Sequence, residues 1–267
     1  MIRRNTETAH QIADSLFSQL NITDLQGLLR ENDQITCGVE CYQLEQNEIF
    51  LLQPNQADTD RYYFCKAFNV PYYIISSSPS KQEFQIFQFT EHLNLVLTAT
   101  LSEQNFLNWW RSKQSFTQQK PMYEAGVRIE HSYIDQILFS NKLAWGVNID
   151  GFKLNEEQFP EYIIEKRITS YDVKKYDPQR FFHGTPQKSG DYSSWNILKK
   201  LSEQLNIPLL LATFDKTQRL AGITRILDVS LTQGLYYSNP IQHHANSQLV
   251  RQDIARLLTI KKTLSAK

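Results

Sequence analysis

The 267-residue chain is short of cysteine, of net charge and of long apolar runs. Its three cysteines, Cys37, Cys41 and Cys65, are odd in number and clustered near predicted strands, where no His or fourth Cys completes a tetrahedral set. A disulfide scaffold and a structural zinc site are set aside on that ground, and the thiols read as buried groups. Basic and acidic residues balance at 28 each, so bulk charge does not point to nucleic acid or to a membrane surface. Any anion-binding surface must be local. No segment approaches the roughly eighteen apolar residues of a membrane span, and the opening MIRRNTETAH lacks the apolar run of a secretory signal. The expectation is a cytoplasmic protein with no membrane partner. A Walker loop, a dinucleotide fingerprint, a GxSxG elbow and a zinc-protease helix are all missing.

What is present suits a globular fold. A composition of 41% hydrophobic and 12% aromatic residues supplies a sizeable core, and 21% charged residues is ordinary for a globular surface. The length suits two domains of about 130 residues. In residues 7–30, Ile12, Leu16, Leu20, Leu25, Leu28 and Leu29 fall near helical spacing, which predicts one or two helices divided near Asn21. Strands are predicted at 34–44 and 48–53, a helix at 57–68, a buried strand in VPYYIIS, and a hairpin of EFQIFQF with LNLVLTATL. Residues 103–120 turn polar and Gln-rich after a helical turn, and Pro121 closes them; the boundary between domains 1–118 and 119–267 is placed there.

Residues 121–140 start with Pro and an early acid and predict a helix. Strands follow in KLAWGVNIDGF and EYIIEKRIT, then a helix in SSWNILKKLSEQLN, a buried strand in IPLLLATF and another in TRILDVS. Both halves read helix, strand, strand, helix, strand, strand. NVPYYIISSS answers NIPLLLATFD, and GVECY answers GVNIDG. The fold class expected is α/β, with two similar α-β-β-α-β units, each a small mixed sheet flanked by helices.

Chemistry concentrates in the second half. Side chains of a strand alternate between faces, so Glu165 and Arg167 of EYIIEKR share a face and Lys166 points to the other. Asp150 ends the preceding strand. If WGVNID pairs with YIIEKR, the two carboxylates converge at one end of the sheet with Arg167 beside them. Such a pair is unfavourable without a cation between its members, and an all-oxygen donor set suits Mg²⁺, with Mn²⁺ as the substitute. A metal held there polarises a phosphodiester and activates a water, while an adjacent cation stabilises developing charge.

With Asp150 in NIDGF, Glu165 in YIIEKR, and Arg167 where a lysine belongs, residues of about 121–215 resemble the PD-(D/E)XK, or restriction-endonuclease-like, nuclease superfamily. The resemblance implies a core of a helix, strands bearing Asp and Glu-x-Lys, a helix and a further strand. It also implies Asp150 and Glu165 as metal ligands, Mg²⁺-dependent cleavage of DNA, and a place in restriction, phage defence or a mobile element. Arg167 departs from the pattern, since a guanidinium binds phosphate but does not readily accept a proton. Lys166 reaching the site through a bulge, Arg167 as an electrostatic substitute, and an inactive site are the alternatives. The first half has Glu40 at the strand position of an acid but Gln53 where the second carboxylate belongs, so a non-catalytic, nuclease-like domain is expected there.

Weaker candidates remain. Glu130 resembles the extra helix acid of some members of the superfamily but, like His131, reads first as part of a solvated helix face, and Asp172-Val173-Lys174 has the Asp-x-Lys form in a polar, turn-like setting. In the long segment 176–195, Arg180 and Lys188 are candidate phosphate contacts, with Tyr192 or Trp195 against sugar or base; more simply, Asp191 caps a helix and Phe181, Phe182 and Trp195 pack in the core. Trp109 and Trp110 read as packing, His243 and His244 as loop residues, and Arg251, Arg256, Lys261, Lys262 and Lys267 as a modest basic patch on a helix. The expected partners are DNA and a homodimer or larger protein assembly. The rival reading is a non-catalytic subunit that binds nucleic acid or protein on a nuclease-like fold.

Overall fold

A computed structural model describes residues 14–32, 34–43, 54–114, 132–169, 172–182, 192–215 and 220–260. The fold is mixed α/β, with mixed β-sheet flanked by helices. Packing groups the chain into two compact units: Asp24–Ile149, and Met1–Thr23 together with Asp150–Lys267. The 118/119 boundary, the 48–53 strand, and Glu130, His131, Lys188 and Asp191 lie outside the described residues.

In the first of these units, β1 (Thr23–Glu31) runs antiparallel to β2 (Gln34–Gln43), and α1 (Gln56–Ala67) carries the chain to β3 (Tyr72–Ser78), parallel to β2. β4 (Glu83–Phe89) and β5 (Leu95–Ser102) continue antiparallel, followed by α2 (Glu103–Lys113) and α3 (Tyr133–Ser140). The hairpin of EFQIFQF with its successor forms as its alternation predicts. Helix α1 opens with a reciprocal capping box of Asn55 and Asp58 and ends at Asn69, whose φ of 57° turns the chain out. One face of the sheet packs Leu29, Cys37, Val39, Ile75, Phe84 and Ile86 against Phe106 and Trp110 of α2 and Ile134, Ile137 and Leu138 of α3.

Two predictions for this stretch change. Residues 23–30, expected as helix, form β1. Leu28 and Leu29, both fully buried, pair with Gly38 and Cys37, so they face opposite sides of the sheet. A strand buried on both faces loses its two-residue alternation, and leucines at 25, 28 and 29 then imitate a helical stripe. Residues 103–113, expected as a single turn, form a three-turn helix held by Phe106, Leu107 and Trp110, which are buried.

The second unit starts with a helical stretch at residues 14–19. Strand β6 (Val147–Leu154) pairs antiparallel with β7 (Pro160–Thr169); single helical turns at Val173–Lys175 and Pro178–Phe181 precede α4 (Tyr192–Gln204). Strand β8 (Leu209–Asp215) lies parallel to β7, and β9 (Ala221–Ser230) antiparallel to β8. Strands β10 (Gly234–Tyr237) and β11 (Gln242–His244) both pair with β9, and α5 (Ser247–Leu258) closes the unit. His243 and His244, expected in a loop, are thus strand residues. Phe17, Leu20 and Ile22 pack on Tyr162, Ile164, Leu210, Phe214 and Ile223, together with Val250, Ile254 and Leu257 of α5. Among the described residues no helix is long and apolar enough to cross a membrane.

Candidate functional site

Strands β6 and β7 fix the acidic pair through their register. Phe152 lies opposite Ile163, and two residues further on each strand, back to the same face, come Asp150 and Glu165. The Lys166 N–H donates to Asp150 Oδ2 at 2.8 Å, which ties the Asp150 side chain to β7 at the level of the second acid. Glu165 is 7% exposed and bound on its other side by Arg167, whose Nη2 lies 3.0 Å from Oε1. The Arg167 guanidinium in turn sits 5.7 Å from the ring centroid of Trp195, a fully buried residue of α4. A cation over an indole is worth about 1 kcal/mol when partly desolvated, so Trp195 helps hold the charge that holds Glu165. Ile163 and Ile164, both fully buried, anchor the strand that carries these groups.

Lys166 is not part of this group. Its Nζ reaches Asp14 at 2.7 Å and lies 5.6 Å from the Phe17 ring centroid, on the opposite face. The bulge that would bring it to Glu165 does not occur: Ile163 to Thr169 keep an unbroken parallel register against β8. Arg180 lies in the Pro178–Phe181 turn. The Asp-x-Lys alternative is a turn as well, since Asp172 Oδ1 accepts the Lys174 N–H at 3.0 Å and caps Val173–Lys175.

The aromatic and basic candidates take structural parts. Trp110 is fully buried and its Nε1 donates to the Ala144 carbonyl at 3.1 Å. On α5, Arg256 bonds Asp253 and Arg251 bonds the Gln19 carbonyl at 2.9 Å, so both cations are engaged within their unit. Asp253 also accepts from His244 Nε2 at 3.1 Å. His243 Nε2 lies 3.1 Å from the Val173 carbonyl, and burial, first among several influences, lowers its pKa.

Two polar sites were missed in the sequence. Asp215, 2% exposed, ends β8 on the Glu165 face and accepts the Val173 N–H at 3.1 Å. It lies four residues along the sheet from the level of Glu165, about 13 Å, too far to share one ion. The other site is in the unit of β1 to β5. Arg61, on α1, reaches Asp24 at 2.7 Å, Asp58 at 3.2 Å and Glu40 at 3.3 Å, while Tyr42 and Tyr72 hydroxyls donate to Asp58 Oδ1. Burial pushes the Glu40 carboxyl up to about 7 against the pull of Arg61. Burial alone lowers the Arg61 pKa, and the surrounding groups, Glu40 first, more than reverse it. An Asp and an Arg three apart on a helix is a common surface pattern. Only the fold reveals that it is buried against a strand acid.

Asp150 and Glu165 present a donor set of two carboxylates, which fits a hydrated Mg²⁺ or Mn²⁺ that keeps several waters. Among the described residues no group of three or more His, Cys, Asp or Glu side chains assembles around a common point, so a fully protein-ligated metal is not what this set offers. Neither protein-family models, nor curated proteins, nor solved structures give a match to the chain.

Proposed function

We propose that the unit containing β6 to β11 is a metal-dependent nuclease site acting on DNA phosphodiester bonds. The observation that carries this reading is the Phe152↔Ile163 register, which sets Asp150 and Glu165 on one face of adjacent strands. The antiparallel β6 and β7, then α4, then β8 parallel to β7 also support the restriction-endonuclease-like core that the sequence resembles. Asp150 and Glu165 would hold Mg²⁺ or Mn²⁺. When bound, that ion supplies Lewis-acid polarisation of a phosphate oxygen and a water of lowered pKa.

The chain's own residues do the rest. The Lys166 N–H orients Asp150, and Arg167 orients Glu165. Arg167 also offers a fixed positive charge to a phosphate but no proton acceptor, so it stabilises charge and does not act as a base. Arg180 and Lys188 are proposed as phosphate contacts that position the substrate.

A second reading is favoured by one observation. The Arg167–Glu165 pair at 3.0 Å already gives the second acid a cation, which suits a non-catalytic subunit that binds nucleic acid or protein. The readings separate on supercoiled plasmid DNA with Mg²⁺ or Mn²⁺. Nicking that disappears in Asp150→Ala and in Glu165→Ala, with DNA binding retained, supports the nuclease. Binding without cleavage in either metal, at any protein concentration, rejects it in favour of the subunit.

A further inference from the structure

The two units repeat one another at the level of individual hydrogen bonds. In one, the Gly38 N–H donates to the Pro71 carbonyl at 3.0 Å; in the other, the Ile163 N–H donates to the Pro208 carbonyl at 3.0 Å. Each proline follows a helix that ends on an Asn of left-handed backbone, Asn69 at φ 57° and Asn206 at φ 54°. From these anchors the registers run in step: Glu40 pairs with Ile74 as Glu165 pairs with Leu211, and Leu28 faces Gly38 as Phe152 faces Ile163. Glu40 is then the counterpart of Glu165, Tyr42 of Arg167 and Gln26 of Asp150. The last equation has an independent check. The Cys41 N–H donates to Gln26 Oε1 at 2.7 Å, just as the Lys166 N–H donates to Asp150 Oδ2 at 2.8 Å.

The glycines agree as well. A Cβ on Gly27 would meet Val39 Cγ2 at 3.0 Å, and one on Gly151 would meet Ile164 Cγ2 at 2.8 Å, with Val39 and Ile164 at matching positions. The same two glycines show what packs over each sheet. Gly151 is covered by Ile22 and Phe17 of the chain's first segment, whereas Gly27 is covered by Trp145, which follows α3.

We infer that the chain is a tandem of two copies of one β-β-α-β-β-β-α unit behind a leading helix, the second copy carrying the short β11 in addition, and that the copies have exchanged their leading helices. The helical stretch 14–19 leads into β1, yet Phe17, Leu20 and Ile22 belong to the core of the β7–β9 sheet. Helix α3 leads into β6, yet Ile134, Ile137 and Leu138 belong to the core of the β2–β4 sheet. Trailing helices stay at home: α2 packs in the core of the copy it ends, and so does α5. The exchanged stretch is locked in by polar contacts. Lys153 Nζ bonds the Leu20 carbonyl at 2.9 Å, Arg251 bonds the Gln19 carbonyl, and Lys166 bonds Asp14. Two cations on the closing carbonyls suit the negative end of a helix. The apolar face formed by Tyr162, Ile164, Leu210 and Phe214 is thus an interaction surface whose partner is the leading helix of the other copy. The correspondence sets β2 against β7, in place of the match of GVECY with GVNIDG.

The test uses the full-length chain. Phe17→Ala is expected to speed amide hydrogen exchange in β7, β8 and β9 by roughly tenfold or more, with β2 to β4 changed far less; Ile137→Ala is expected to do the reverse. If Phe17→Ala acts first on β2 and β3, the exchange of helices is overturned. Should the alanine variants fail to fold, Phe17→Leu and Ile137→Val are read the same way. The equation of Gln26 with Asp150 has its own arm. Asp150→Gln is expected to melt within about 2 °C of wild type, because Gln26 shows that an amide oxygen serves the same N–H, and Asp150→Leu about 4 °C lower or more. A glutamine that fares no better than leucine overturns the equation. Loss of cleavage in a stable Asp150→Gln bears on the proposed reaction and leaves the duplication standing.

Discussion

The backbone N–H of Lys166 donates to the side chain of Asp150 at 2.8 Å and aims the first acid, while the alternation of β7 carries the Lys166 side chain to the far face, onto Asp14. The cation proposed at Asp150 and Glu165 would therefore meet oriented oxygens. Mg²⁺ or Mn²⁺ at tenfold excess over its dissociation constant is expected to add about 1.4 kcal/mol of stability, a rise of roughly 3 °C in melting temperature. Asp150→Asn should remove the rise. Calorimetry showing no metal-dependent shift in the wild-type chain would count against the metal site.

Glu165 and Arg167 should be energetically coupled. Breaking a buried pair from one side leaves a charge without its counterion, but Arg167 is 27% exposed and water takes up part of the loss. A double-mutant cycle of Glu165→Gln and Arg167→Met by urea unfolding is expected to return about 1–2 kcal/mol of coupling. Additive single effects would mean that the pair does not hold the acid.

Glu40 makes stability depend on pH. Its carboxyl rises from 4.5 to about 7 on folding, with burial as the main cause. The fold therefore favours the protonated form, and that stabilisation is complete below pH 4.5 and lost as pH rises through 7. The contribution to the slope approaches about 1.4 kcal/mol per pH unit in that window. Denaturant melts between pH 4.5 and 8 should show the fall, and Glu40→Gln should flatten it. An unchanged slope in the variant would assign the dependence to other groups.

Gly38 is required for space. An added Cβ would overlap Cys65 Sγ, so the thiol or the helix that carries it would have to shift. Gly38→Ala is expected to cost about 2–3 kcal/mol. Cys65→Ala should cost less by itself and should rescue Gly38→Ala, because the new methyl occupies the room the sulfur vacates. A double variant as unstable as the sum of the singles would show that the clash lies elsewhere.

Much of the secondary structure was legible in local pattern. EFQIFQF opens with an alternation that sets Phe84 and Ile86 on one face, while Phe87 and Phe89 are buried on the other, and NVP and NIP mark the chain's entry into two buried strands, each after a helix that ends on Asn. The 23–30 segment was illegible for the opposite reason: burial on both faces erased the alternation. Likewise Trp195 could be read as core or as a stacking surface, and only its place beneath Arg167 makes it core.

By itself, then, the sequence determined the α/β class, the acidic pair on neighbouring strands, and the common face of Glu165 and Arg167, since each depends on residue type and a two-residue period. Tertiary structure alone decided which strands the first helix covers and that Lys166 bonds Asp14. Those outcomes depend on contacts between residues as distant in sequence as Gln19 and Arg251, 232 positions apart. A local pattern shows that Phe17 and Leu20 need an apolar partner, but it does not say which of two similar sheets provides one.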